Sequence, residues 1–377
     1  MLVSYLFDLI GSRTKLPSVI LLLFFGILLR KISDLGKIHL PNTEQLLPTL
    51  GTLGLILIVL EGSMDLRLTN EKHTVIRQAI WAAAVQLVIS MGLMAAIFGF
   101  YSGAPLMQVL LNAVPFAVVS SAIAIPSAGS LSPARREFVI YESSFSDILG
   151  IFVFNFLLIS CEKNELAFGH FGFDVVLTIL LSVGCCLVLA ILLERIRHKV
   201  KFLPIISLLF MAYAIAKLGH LSALLMVLMF GLFINNTDLL ASVVPPRFFR
   251  NETLKSELPI FKNLMAEVTF VARTFFFLLF GYSVQPMQLV DNQALMVAGS
   301  VIGIIFVVRL LYFVAGYKKL PGGLAFLSPR GLITVLLFLS IPVELQLPAI
   351  NNAVLMLVVL FSALLLTIGL VFLRKES

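Results

Sequence analysis

Residues 136–160, REFVIYESSFSDILGIFVFNFLLIS, decide the fold. After the basic start the stretch reads as one apolar helix, yet its interior carries Glu142, Ser143, Ser144, Ser146 and Asp147. On a helix Asp147 stacks over Ser143 and Ser144, and Ser146 over Glu142. At ~1.5 Å of rise per residue, Asp147 lies roughly 16 Å beyond Arg136, near the middle of a bilayer. An acid at that depth costs about 2.5–3.5 kcal/mol on insertion scales, so it must face a cavity or a partner.

Composition supports the membrane reading. The 377 residues are 60% hydrophobic and 12% charged, with a mean hydropathy of +1.06. A soluble domain carries about twice that charge. Apolar runs of spanning length recur along the whole chain, which predicts an all-α polytopic membrane protein. The expected spans are 1–11 (short), 16–31, 46–64, 75–101, 105–126, 136–160, 173–194, 201–217, 220–237, 263–285, 293–316, 321–342 and 350–373, about 13 in all. Segment 1–11 is too short to cross a ~30 Å core unaided. With no cleavable-signal pattern and no long polar stretch, residues 1–377 are expected to form a single transmembrane domain without a soluble regulatory domain.

Basic residues set the orientation. One alternate set of loops holds Arg13, Lys15, Arg67, Lys72, Arg77, Arg135, Arg136, Arg195, Arg197, Lys199, Lys201, Arg247, Arg250, Lys255, Lys262, Lys318, Lys319, Arg374 and Lys375. The other holds only Arg30, Lys31, Lys37, Lys163 and Lys217. The richer set and the C-terminus are therefore expected in the cytoplasm, with the protein in the plasma (inner) membrane. The net charge of +7 is explained by this topology, so no nucleic-acid partner is expected. Neither the three cysteines nor the scattered histidines form a disulfide framework or a metal-ligand spacing, and no cofactor is expected. Enzyme signatures are absent, and the serine–aspartate pattern has no histidine or lysine base in the surrounding spans.

Two spans are interrupted. Residues 112–131 place Pro115 and Pro126 around Ser120–Ser121; residues 321–342 carry Ser328–Pro329–Arg330–Gly331 midway. Proline removes a helix donor and leaves a carbonyl unpaired. At membrane depth such backbone survives only where protein or a water-filled cavity satisfies it. One broken span in each half of the chain is the signature of an inverted-repeat transporter and points to its binding site.

The remaining deep charges then sort themselves. Arg309 lies nine residues before Lys318, about 14 Å in, and needs an anion; Glu142 is the expected partner, as a structural ion pair. That leaves Asp147 free to bind a cation or proton. Arg330 would hold the crossover or complement half-helix carbonyl ends. Glu267 and Arg273 are expected to be structural or to sit at a mouth. Glu61 and Asp65, one turn apart, read as a solvated rim, and Phe275–Phe277 as lipid-facing or packing surface.

These residues resemble the monovalent cation:proton antiporter superfamily. YESSFSD (141–147) is similar to the Glu–Ser–x–x–Asn–Asp motif of that family's sixth helix. LGLILIVLEGSMDL resembles its third helix, and KLPSVILLLFFGILL a helix opening on Leu–Pro. FVVRLLYFV resembles the late helix with the buried arginine, and SPRGLITVLL the second crossover helix. The likeness runs over essentially the whole chain. It implies a homodimer in which a core moves elevator-like against a dimerisation scaffold, with Na⁺ or K⁺ and H⁺ as substrates. By position it makes Asp147 the ion- and proton-binding carboxylate, pairs Glu142 with Arg309, and puts Ser120–Ser121 and Ser328–Arg330 at the breaks.

Two departures bear on mechanism. Ser146 replaces the usual Asn or Asp before the key aspartate, which favours electroneutral one-for-one exchange. Ser120–Ser121 replaces the Asp–Pro common in sodium/proton exchangers and is closer to potassium-efflux-type relatives, leaving Na⁺ and K⁺ both open. A buried carboxylate binds protons more tightly than an exposed one. A cation competing for it, with hydroxyls of Ser146, Ser143 or Ser120 completing the shell, would couple the two fluxes by alternating access. The transported ion would be the only metal. Two other classes fit the same chain: a gated potassium-efflux-type channel, and an organic-anion symporter using Arg330 with Arg273.

Overall fold

The computed structural model describes residues 4–7, 17–36, 43–66, 72–163, 168–195, 202–219, 221–236, 251–316 and 322–374. These are helical throughout apart from short connections. The helices are α1 (Ser18–Gly36), α2 (Thr43–Asp65), α3 (His73–Ser102), α4 (Leu106–Ala117), α5 (Ser121–Ser127), α6 (Pro133–Lys163) and α7 (Phe168–Arg195). They continue as α8 (Phe202–Leu218), α9 (Ala223–Asn235), α10 (Asn251–Ser283), α11 (Asn292–Gly316), α12 (Leu332–Leu339) and α13 (Asn352–Arg374). Each expected span from the second onward coincides with a helix or an interrupted pair. Seven helices among the described residues are long and apolar enough to cross a membrane. Of segment 1–11 only 4–7 is described, as helix. The loop residues Arg13, Lys15, Lys37, Arg67, Arg197, Lys199, Lys201, Arg247, Arg250, Lys318, Lys319 and Lys375 lie outside the described residues.

The chain forms two compact units. One comprises Met1–Leu55, Thr74–Cys161 and Val271–Ser377; the other comprises Ile56–His73 and Glu162–Phe270. In the second unit, α7 and α9 pack through small polar side chains. Ser182 donates to Met226 O (3.2 Å), and Cys186 Sγ lies 3.8 Å from Phe230 O. Asn235 and Asn236 both donate to Leu66 O, at 2.7 and 2.8 Å, giving that carbonyl partners just past the end of α2.

The first unit holds both broken spans. The turn before the first follows from Gly103, which takes φ +63° and returns its N–H to Gly99 O (2.9 Å), closing α3. The break itself does not fall at the prolines. Pro115 stays inside α4 and Pro126 inside α5, while the chain opens at Val118–Ser120, with Val118 (ψ 131°) and Ser120 (ψ 116°) extended. Adjacent β-branched valines lose little by leaving a helix, and it is at these residues that other groups take up the backbone. The second break is the non-helical stretch 327–331 between a 3₁₀ turn (Gly322–Phe326) and α12.

Helices α1 and α10 cross within this unit at backbone contact. A Cβ on Gly26 would collide with Leu278 O and stand 2.9 Å from Gly281 Cα, and one on Gly281 would collide with Leu23 O. Just beyond, Arg30 donates to Tyr282 O (3.2 Å) and Ser33 shares a 2.9 Å hydrogen bond with the Tyr282 hydroxyl. Gly26→Ala should therefore lower unfolding stability in detergent by about 1–3 kcal/mol through overpacking. Gly92→Ala, at an exposed helical glycine with nothing within 4 Å, should be neutral or raise it by about 0.5–1 kcal/mol.

Candidate functional site

The site is built where the broken helix α4–α5 meets α6 and the second break. Three successive N–H groups at the start of α5 find partners outside their own helix. Val119 N–H donates to Ser146 Oγ (2.9 Å), Ser120 N–H to Pro329 O (3.0 Å), and Ser121 N–H to Asp147 Oδ2 (3.3 Å). Ser121 Oγ donates to the same carboxylate oxygen at 2.5 Å. Gly150 makes the approach possible, since a Cβ there would overlap the Val118 side chain.

The carbonyl side of the break belongs to Arg330. Its Nε donates to Phe116 O (2.5 Å) and its Nη2 to Ala117 O (3.3 Å), the last two carbonyls of α4. Nη1 donates to Ser328 O (3.2 Å) and Ser328 Oγ (2.7 Å), while the Arg330 N–H goes to Ser362 Oγ on α13 (2.9 Å). A cation at a helix C-terminus is the arrangement the macrodipole favours. Pro329 suits its place, because it has no N–H to satisfy and its carbonyl accepts from Ser120. The two breaks are thus joined backbone to backbone and through one guanidinium.

Glu142 and Arg309 form a separate cluster, both 1% exposed. Arg309 reaches Glu142 with two parallel bonds, Nη1 to Oε1 (2.7 Å) and Nη2 to Oε2 (2.8 Å). Gln86 on α3 closes the group, donating to Glu142 Oε1 (2.9 Å) and accepting from Arg309 Nη1 (2.7 Å). Arg309 Nε donates to Leu324 O (3.0 Å), and its guanidinium lies 5.1 Å from the Phe313 ring centroid. Fork geometry with a donor to each carboxylate oxygen is what a desolvated ion pair needs.

The expected site residues therefore divide. Asp147, Ser146, Ser120, Ser121, Ser328 and Arg330 come together at the breaks. Ser143 lies one turn from Asp147 but donates its hydroxyl proton to Val139 O (2.8 Å) on its own helix. Arg273 donates to Ala122 O on α5 (3.4 Å), and Glu267 is exposed. Gln86 escaped the sequence reading, although a glutamine at mid-helix in the apolar run 79–100 was the available signal. Asp147 Oδ1 and Ser120 Oγ are buried with no hydrogen-bond partner among the described residues.

The family model described as sodium/hydrogen exchanger, transmembrane, matches residues 1–375. No curated protein matches the sequence. Among solved structures, the sodium proton antiporter MjNhaP1 from Methanocaldococcus jannaschii at pH 8 is similar, with 19% identity and a TM-score of 0.70, covering 100% of this chain and 94% of its own. An electron-microscopy structure of the same antiporter has 18% identity and a TM-score of 0.63, covering 98% and 92%. At these identities the likeness is one of fold.

Breaking the buried pair should be costly. Glu142→Gln strands Arg309 and should lower unfolding stability by about 3–5 kcal/mol, whereas Gln86→Leu removes a neutral partner and should cost about 1–3 kcal/mol. Arg330→Lys keeps the charge but loses the planar fork that spans Phe116 O, Ala117 O and Ser328. It should also be destabilised by about 1–3 kcal/mol, read as thermal unfolding in detergent.

Proposed function

The chain belongs to the sodium/hydrogen exchanger family, an integral-membrane transporter family, and from that premise we propose that Asp147 is the single carboxylate at which Na⁺ and H⁺ compete. The observation that carries this is the contrast between the two acids on α6. Both oxygens of Glu142 are bound by Arg309, with Gln86 beside them. Asp147 uses one oxygen on Ser121 and keeps Oδ1 unbonded, next to a break in the helix. A carboxylate already neutralised by a guanidinium has little to offer a second cation; a half-occupied one does.

Protonated Asp147 is neutral, and so is Asp147 with a bound monovalent cation. Exchange at one carboxylate is then electroneutral, one for one. Coupling needs no further device if the site is exposed alternately to the two sides, because loading by one species requires departure of the other. Ser120 and Ser121 supply hydroxyl and backbone contacts beside the carboxylate. Ser146 and Ser143 act one step back, Ser146 by holding the Val119 N–H and Ser143 by its place one turn along α6. The proposal extends to a homodimer in the plasma membrane with a cytoplasmic C-terminus, working in pH homeostasis.

The test is sodium-driven proton movement in sealed proteoliposomes carrying a pH-sensitive dye, with Li⁺ and K⁺ in parallel. Wild type should respond to Na⁺, without dependence on an imposed membrane potential, and Asp147→Asn should lose the response entirely. Retained coupled exchange in Asp147→Asn would remove Asp147 from the mechanism. A response to K⁺ alone would reassign the cation, and ion-driven current without proton coupling would favour a channel.

A further inference from the structure

The first break is the expected place for the ion, and three of the carbonyls around it already accept hydrogen bonds. Phe116 O and Ala117 O accept from Arg330, and Pro329 O accepts from Ser120 N–H. A cation at Asp147 would find further oxygens in unpartnered side-chain hydroxyls. Among the described residues, the buried hydroxyl oxygens without a partner in this unit are those of Ser120, Ser144 and Thr334. Ser144 lies three residues before Asp147 on α6, and Ser120 precedes Ser121, which bonds the carboxylate. Thr334 comes from the other broken span.

Its neighbours define where it points. Counted from the N-cap Gly331, positions 331, 334 and 338 fall along one side of α12. Gly331 lies against the first break, since a Cβ there would stand 2.7 Å from both Ser120 Oγ and Ile123 Cδ1. Phe338 lies against Phe116, with ring centroids 6.2 Å apart. Helical spacing puts Thr334 between these two positions, on the side of α12 nearest α4–α5, and the residue is fully buried. Burying a hydroxyl with no partner is unfavourable, and native structures rarely do so without a reason. The surrounding run, LITVLLFL, is otherwise wholly apolar, and valine would fill the same space without the polar atom.

We infer that Thr334 is a ligand of the transported cation that determines its specificity, so that the oxygen shell is completed from both breaks: the Asp147 carboxylate, the Ser120 hydroxyl and the Thr334 hydroxyl. This rests on Asp147 being the ion site. It assigns the second crossover a direct part in binding, alongside the Arg330 bonds that hold the first in shape. A shell of short side-chain oxygens suits a small, dehydrated monovalent cation, Na⁺ or Li⁺.

Thr334→Val, Thr334→Ser and Asp147→Asn, each in full-length protein in proteoliposomes, separate the possibilities. Thr334→Val should raise the Na⁺ and Li⁺ concentrations for half-maximal exchange about tenfold, with little change in maximal rate, as loss of a binding contact does. Thr334→Ser should restore the wild-type value. Removing an unpaired hydroxyl should leave the unfolding temperature of Thr334→Val unchanged or higher. Unchanged half-saturation in Thr334→Val, while Asp147→Asn abolishes exchange, would overturn the role of Thr334 and leave Asp147 standing. Coupled exchange surviving in Asp147→Asn would overturn both. A lowered unfolding temperature and reduced maximal rate, with half-saturation unmoved, would make Thr334 a packing residue and refute the inference.

Discussion

Everything at the centre of this protein depends on satisfying a broken backbone where water is excluded. Interrupting a helix at membrane depth releases N–H groups on one side and carbonyls on the other, and each is expensive if left bare. Here Val119, Ser120 and Ser121 give their N–H groups to Ser146, Pro329 and Asp147, and Phe116 and Ala117 give their carbonyls to Arg330. The second break supplies two of these partners, so neither crossover is stable without the other. The Asp147 carboxylate is thereby held as part of the structural solution.

The same economy divides the two buried acids. Glu142 is drawn into a closed group with Arg309 and Gln86, and that group also binds the Leu324 carbonyl of the second broken span. Its charge is spent on joining α3, α6 and α11. Asp147 lies little more than one turn further along α6, but there the helix faces the break rather than an arginine. One carboxylate fastens the core and the other is left with an open oxygen. The difference is one of partners: Glu142 is buried with both oxygens bonded, whereas half-buried Asp147 keeps a buried Oδ1 without a partner among the described residues.

How much of this was legible depends on how conspicuous each residue is. A lone acid or arginine inside an apolar run announces a partner, which is why Asp147, Glu142, Arg309 and Arg330 stand out from the sequence. Prolines announce irregular backbone, but not its position: Pro115 and Pro126 remain helical, and the chain opens at Val118–Ser120 because Ser146, Asp147, Pro329 and Arg330 are there to receive it. Gln86 was hidden because a neutral amide carries no obligation visible in one dimension. Thr334 was hidden more completely, because threonine in a membrane helix usually bonds its own backbone and only the packed structure reveals that this one does not. The glycines at 26, 150, 281 and 331 were equally mute, since only a neighbouring element shows which of them is required.

The central claim is that sodium and a proton compete for one carboxylate. Its most direct test is proton release on Na⁺ binding to purified protein in weakly buffered detergent solution, near the pH of half-protonation. Each Na⁺ bound should displace close to one proton from protein that carries it, with saturation of both signals at the same Na⁺ concentration, and Asp147→Asn should show neither. Saturable Na⁺ binding without proton release in wild type, or undiminished release in Asp147→Asn, would contradict the account.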